Sequence, residues 1–173
     1  MVDDLTDMVI RPATDDDARA IAEVHVASWR QAYTGVIDED YLAKLDVSAR
    51  AAWWSELLDS SNTSTSVWVA ENEGRVVGFA SMGPSLDEDA DRSALQIYTI
   101  YLDPSAWGHG IARELMRTVL ADVPEGVPVT LWVPAANERA RHFYRRHGFS
   151  ADGVERVEEF GGDQLREMRY RKG

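Results

Sequence analysis

The run DPSAWGHGIARELM, residues 103–116, places two glycines one residue apart where a strand-like segment gives way to a helix-like one. A chain that leaves a strand, turns through glycine and opens a helix presents unpaired backbone N–H groups, and the helix dipole favours negative charge there. Glycine also lets an oxyanion approach the main chain. The candidate donors are the N–H groups of Gly108, His109, Gly110, Ile111, Ala112 and Arg113, with the side chains of His109 and Arg113 as additional contacts. As a bare pattern the stretch lacks the Lys-Ser/Thr of a phosphate-binding P-loop and the third glycine of a dinucleotide fingerprint. Taken alone, it fits a ligand loop and a plain turn equally well.

A second stretch, NERARHFYRRHGF at 137–149, carries Asn137 and Tyr144. Asn137 suits a helix N-cap, and Tyr144 by itself reads as a core tyrosine with a satisfied hydroxyl. Arg139, Arg141, Arg145 and Arg146 read mostly as a solvated helix face. His25 lies one helical turn from Trp29 and reads as a packing residue rather than a base. Trp29 and Tyr33 are divided evenly between pocket wall and core. The four histidines show no ligand spacing with carboxylates and the chain has no cysteine, so neither a metal site nor a thiolate nucleophile is expected.

The elements that must hold these residues follow from periodicity and breakers. Residues 8–14 form a short strand. Thr14 and Asp17 start a helix over 15–32, and 38–58 holds one or two more. Residues 67–83 form a hairpin, and 84–93 an acidic loop read as solvated. A strand covers 94–104, a helix 109–121, a strand 127–134, a helix 137–149, and two closing strands about 153–159 and 164–171. This order predicts an α/β (α+β) domain over residues 1–173, a mixed sheet with helices on both faces. With 45% hydrophobic residues, the chain can fill such a core without staples.

A formal net charge of −12 repels nucleic acid and anionic membrane and favours cationic ligands. The N-terminal residues lack a signal-peptide pattern, and no window is apolar enough to span a bilayer, so a cytoplasmic protein is expected. A homodimer is left open.

Taken together, these motifs resemble the GNAT superfamily of acyl-CoA-dependent N-acetyltransferases. Ile100-Tyr101-Leu102-Asp103-Pro104, then Trp107-Gly108-His109-Gly110-Ile111-Ala112, then Asn137 and Tyr144, match the family pattern in order and spacing. The VVGFA run and the closing EMRYR also fit, so the likeness spans nearly the whole chain. The resemblance implies a mostly antiparallel sheet of about seven strands. It implies acetyl-CoA as cosubstrate, with the pyrophosphate on the N–H groups of residues 108–113. The pantetheine arm would lie along Ile100, Tyr101 and Leu102 and be held by Asn137. It further implies Tyr144 as the acid that protonates the leaving thiolate, and Trp29 and Tyr33 as acceptor-pocket residues. The acceptor would be a primary amine, on a small molecule or a protein N-terminus, attacking directly in a ternary complex. A non-catalytic acyl-CoA-binding module is the alternative.

Two positions depart from the pattern. Trp107 replaces the usual Arg or Gln, with little consequence expected where backbone donors hold the phosphate. Gln96 stands where many members carry a Glu base, and an amide can orient a water or the substrate but accepts no proton at neutral pH. Deprotonating a lysine-like amine first costs about 4–5 kcal/mol at pH 7, whereas an α-amino terminus costs about 1 kcal/mol. The sequence therefore predicts either a weakly basic acceptor or another group that takes the proton through water.

Overall fold

The computed structural model describes residues 7–60 and 63–173. The first six residues, which enter the signal-peptide reading, and residues 61–62 of the polar loop lie outside the described residues. The strands are β1 (Met8–Pro12), β2 (Ser66–Asn72), β3 (Arg75–Pro84), β4 (Leu95–Leu102), β5 (Val129–Pro134), β6 (Ser150–Phe160) and β7 (Asp163–Lys172). The helices are α1 (Ala18–Tyr33), α2 (Glu39–Ala43), α3 (Val47–Asp59), α4 (Ile111–Ala121) and α5 (Glu138–Arg146). One seven-stranded sheet runs β1-β2-β3-β4-β5-β7-β6, antiparallel throughout except for the parallel β4–β5 pair. The expected mixed, mostly antiparallel sheet with helices on both faces is what the chain forms. The region 38–58 resolves into two helices, and β6 begins three residues earlier than its pattern suggests, ahead of an irregularity between Ala151 and Glu155.

Side-chain alternation separates the two faces. Trp68 and Ala70 of β2 pack with Leu115, Met116 and Val119 of α4, while Val67 and Val69 pack with Ile21 of α1 and Trp54 of α3. α5 lies on the α4 face through Ala140, Phe143 and Tyr144. Arg11 ties the start of α1 to the sheet: it bonds Asp17 at 2.7 and 2.9 Å and Glu71 at 2.6 Å. The guanidinium, through its hydrogen bond, holds the Asp17 carboxyl below the usual carboxylate range. Among the described residues, no helix is long and apolar enough to cross a membrane.

A β-bulge decides what β4 presents. The β3–β4 register shifts between Ser81 and Met82, so Tyr98 is an extra residue and the alternation changes phase. Leu95, Ile97, Ile100 and Leu102 join the α4-side core, whereas Tyr101 joins the α1 side. Gln96, Thr99 and Tyr101 consequently share one face.

Candidate active site

β4 and β5 pair only at Leu95–Val129 and Gln96–Thr130, and then diverge. Beyond that point the β4 edge facing β5 has no strand partner, and a cleft of about 1340 Å³ opens through the sheet. It runs from the loop before α4 to the aromatic side chains of α1, so both groups of sequence candidates meet in one space.

On the α4 side the loop explains its glycines. Gly108 and Gly110 both have positive φ, +84° and +79°, a backbone region costly for residues with a Cβ. Open space surrounds the Cβ position of Gly108, so backbone conformation selects glycine there. Gly110 is the N-cap of α4 and no side chain caps the helix. The first-turn N–H groups of Ile111, Ala112 and Arg113 are left for an external acceptor. Arg113, Arg117, Arg139 and Arg146 line this half, and no carboxylate does among the described residues. Trp107 is built in: its Nε1 donates to the Leu102 carbonyl at 3.2 Å, and Arg139 stacks 4.4 Å from its ring centroid. One of the three residues expected to pair with the pantetheine arm thus already has its carbonyl engaged.

Asn137 caps α5, its side chain accepting from Ala140 N–H at 3.1 Å, and it also lines the cleft. The capping reading and the lining position hold together. Tyr144, on α5, reaches the same space. Burial first, and then the nearby Tyr101 hydroxyl, push its pKa well above the ordinary phenol value. A phenol in that state keeps its proton at neutral pH and is a donor.

On the α1 side, rings from several elements converge. Trp29 packs against Tyr33 at 4.8 Å and Phe160 at 5.2 Å, and His25 against Tyr101 at 5.2 Å. Tyr33 is held protonated by burial, with smaller contributions from Tyr101, Glu167 and Tyr144. His25 is pushed down to about 4, chiefly by burial and then by Arg50, so its imidazole is neutral. Its Nδ1 has no hydrogen-bond partner among the described residues. Gln96 is buried, and its Oε1 accepts from Leu86 N–H at 3.0 Å, so it anchors the loop that follows β3.

The profile of the acetyltransferase (GNAT) family matches residues 21–149, three quarters of the chain. The chain belongs to the GNAT acetyltransferase family. It is 31% identical over 146 residues to the "Probable N-acetyltransferase Rv2775" of Mycobacterium tuberculosis, covering 83% of this chain and 80% of that one. Among solved structures, the ribosomal-protein-alanine N-acetyltransferase of Brucella melitensis superposes with a TM-score of 0.75 at 25% identity, over 95% of this chain and 98% of that one. The PaiA N-acetyltransferase of Thermoplasma acidophilum, in complex with coenzyme A, has a TM-score of 0.71 at 20% identity, covering 92% and 97% of the two chains, and shares the fold.

In this GNAT domain the candidate site residues line the cleft, Trp29, Tyr33, Gln96, Ile100 to Leu102, Gly108 to Arg113, Asn137 and Tyr144, whereas Arg141 and Arg145 donate instead to the Tyr170 hydroxyl at 3.1 and 3.3 Å. The acidic loop differs from its solvated reading. Asp87 and Asp89 ion-pair with the buried Arg169 at 3.3 and 2.7 Å, Asp152 joins at 2.7 Å, and Asp87 also accepts from Trp132 Nε1 at 3.0 Å. Burying a guanidinium requires such partners, and they come from segments that sequence distance conceals. Sequence reasoning also missed Arg50, Arg156, Glu158 and Glu167, all of which line the α1-side half. The signal for the last three is the alternation of the closing hairpin, which puts Leu165, Glu167 and Arg169 on one face and Met168 and Tyr170 on the other.

Proposed function

We propose that this GNAT domain transfers an acetyl group from acetyl-CoA to a primary amine by direct attack in a ternary complex. The observation that carries the reading is the divergence of β4 from β5 between an uncapped, glycine-turned helix N-terminus and Tyr144. The residues fit an extended thioester whose phosphates take the N–H groups of residues 108–113. Its amide arm lies along the open edge of Ile100 to Leu102 beside Asn137. Acetyl-CoA supplies the activated acyl group, and the chain supplies position and protons. Holding both reactants in one cleft makes attack effectively unimolecular. Tyr144 delivers its proton to the departing sulfur, and Gln96 orients the water or substrate beside it. Trp29 and Tyr33 form the acceptor wall. We read the chain as one catalytic domain acting in the cytoplasm, without metal.

The tethering of Gln96 to Leu86 favours a second reading, a module that binds acyl-CoA without turning it over. Tyr144→Phe separates the two. The enzyme reading expects kcat to fall by about 100- to 1000-fold, within the range for a lost general acid, while acetyl-CoA affinity stays within about two-fold. Absence of turnover in the wild type, with acetyl-CoA bound equally by both proteins, would instead favour the module.

A further inference from the structure

We propose that the acceptor is a small molecule bearing a carboxylate close to its primary amine, held between Arg50 and Glu167, with Glu167 receiving the amine proton. This rests on the transfer reaction proposed above and names its acceptor class.

Arg50 sits in the N-terminal turn of α3, where the helix dipole disfavours a cation. It lines the cleft beside His25, and no ion pair is found for it among the described residues. An unpaired guanidinium facing a cleft invites a carboxylate, which it recognises through paired donors. Glu167 enters the same space from β7. Its side chain is 12% exposed, and its Oε1 accepts from Arg156 Nε at 2.9 Å, leaving its second oxygen for an ammonium. Arg156 also contacts Glu158 and stacks 4.2 Å from the Trp132 ring centroid, so Glu167 is held on a packed support. Arg50, Tyr101, Tyr144 and Glu167 line the same cleft, and both charges bear on the Tyr101 hydroxyl, whose pKa is raised chiefly by burial.

Charge balance points the same way. Among the described residues, the fixed charges lining this half are Arg50, Arg156, Glu158 and Glu167, two of each sign. A polyamine or a lysine-rich peptide calls for excess negative charge, whereas a zwitterion matches a balanced site. Gln96 leaves the β4 position without a base, and Glu167 fills that role from another strand. Its carboxylate takes one proton from the ammonium through a water, which frees the nitrogen lone pair. The nitrogen then bonds to the acetyl carbonyl carbon while the C–S bond breaks with its pair on sulfur. Tyr144 protonates the sulfur, and the proton that nitrogen sheds on becoming an amide returns through solvent to the Tyr144 oxygen.

The test uses the whole protein and a panel of α-, β- and γ-amino acids, each with its amide and its decarboxylated amine, plus peptides with a free N-terminus and a blocked C-terminus. Expected kcat/KM for the best amino acid exceeds that of its amide by about 10- to 100-fold, the worth of a charge-assisted hydrogen bond. Calorimetry of the same two compounds on the protein should show the same order. Arg50→Met should erase that ratio, with acetyl-CoA affinity as the control for folding. Glu167→Gln keeps an acceptor for Arg156. It should lower kcat at pH 7 and make activity climb with pH towards the amine's own pKa. Equal or better use of amides, amines or peptides, an unchanged ratio in Arg50→Met, or an unaltered pH profile in Glu167→Gln would overturn the assignment. Failure of the wild type to bind acetyl-CoA or to acetylate any compound would instead bring down the transfer reaction itself.

Discussion

The two halves of the cleft are built by different means. The α4-side half is made largely of backbone: an open strand edge, two glycines at positive φ and the first turn of one helix, lined by arginines and, among the described residues, by no carboxylate. The α1-side half is made of side chains from α1, α3, β4, β5, β6 and β7, with charges of both signs and many rings. A backbone site depends on local conformation, so consecutive residues specify it. A side-chain site depends on register between distant strands, so it can be rebuilt by substitution without disturbing its neighbour. The two halves should therefore fail separately.

The largest expected effect is on the α1-side support. Arg169→Leu leaves Asp87, Asp89 and Asp152 facing one another without their cation. Chemical denaturation should show a loss of about 2–3 kcal/mol, below the figure for a fully buried pair because Asp89 is exposed. KM for the acceptor should rise while acetyl-CoA affinity holds. Equal losses in both would mean that the halves are one unit.

Next comes acid sensitivity. His25 protonates at about 4 in the folded protein against about 6.5 when unfolded, so the unfolded chain binds more protons between those values. Its contribution is fully present above pH 6.5 and is lost as pH falls towards 4. His25→Phe should remove roughly 1–2 kcal/mol of the stability change between pH 7 and pH 5, read from denaturation midpoints. An identical pH slope in the variant would refute the assignment.

The smallest effect belongs to the other half. Arg139→Ala removes the cation stacked on Trp107 and one positive charge at the cleft. Acetyl-CoA affinity should weaken by about three- to ten-fold, less at high salt, with acceptor KM unaltered. A change confined to acceptor KM would reverse the division of the cleft.

Legibility in the sequence follows the same line. The strand–turn–helix at 103–116 and the spacing to Asn137 and Tyr144 are local, and the structure keeps them in the cleft as read. The position of Gln96 was equally plain, but its bond to Leu86 depends on how the loop after β3 folds back. For Glu167 the hairpin alternation gives the face but not the site, which needs the β5–β7 pairing, and Arg50 carried no sequence signal because it needs the packing of α3 against α1. Asp87 and Asp89 looked solvated because their partner, Arg169, lies 82 and 80 residues away. The bulge at Tyr98 hides in the sequence too, yet it sets which β4 side chains face the acceptor half.

The most direct test of the central claim is calorimetric titration of acetyl-CoA into the wild type and Gly110→Glu, with ATP and NAD as controls. The variant places a carboxylate and a Cβ at a positive-φ N-cap, so its folding is checked alongside by circular dichroism. The prediction is selective binding of acetyl-CoA by the wild type, weakened by at least about ten-fold in a folded variant. Equal binding by both proteins, or none by either, would mean that the glycine loop is only a turn.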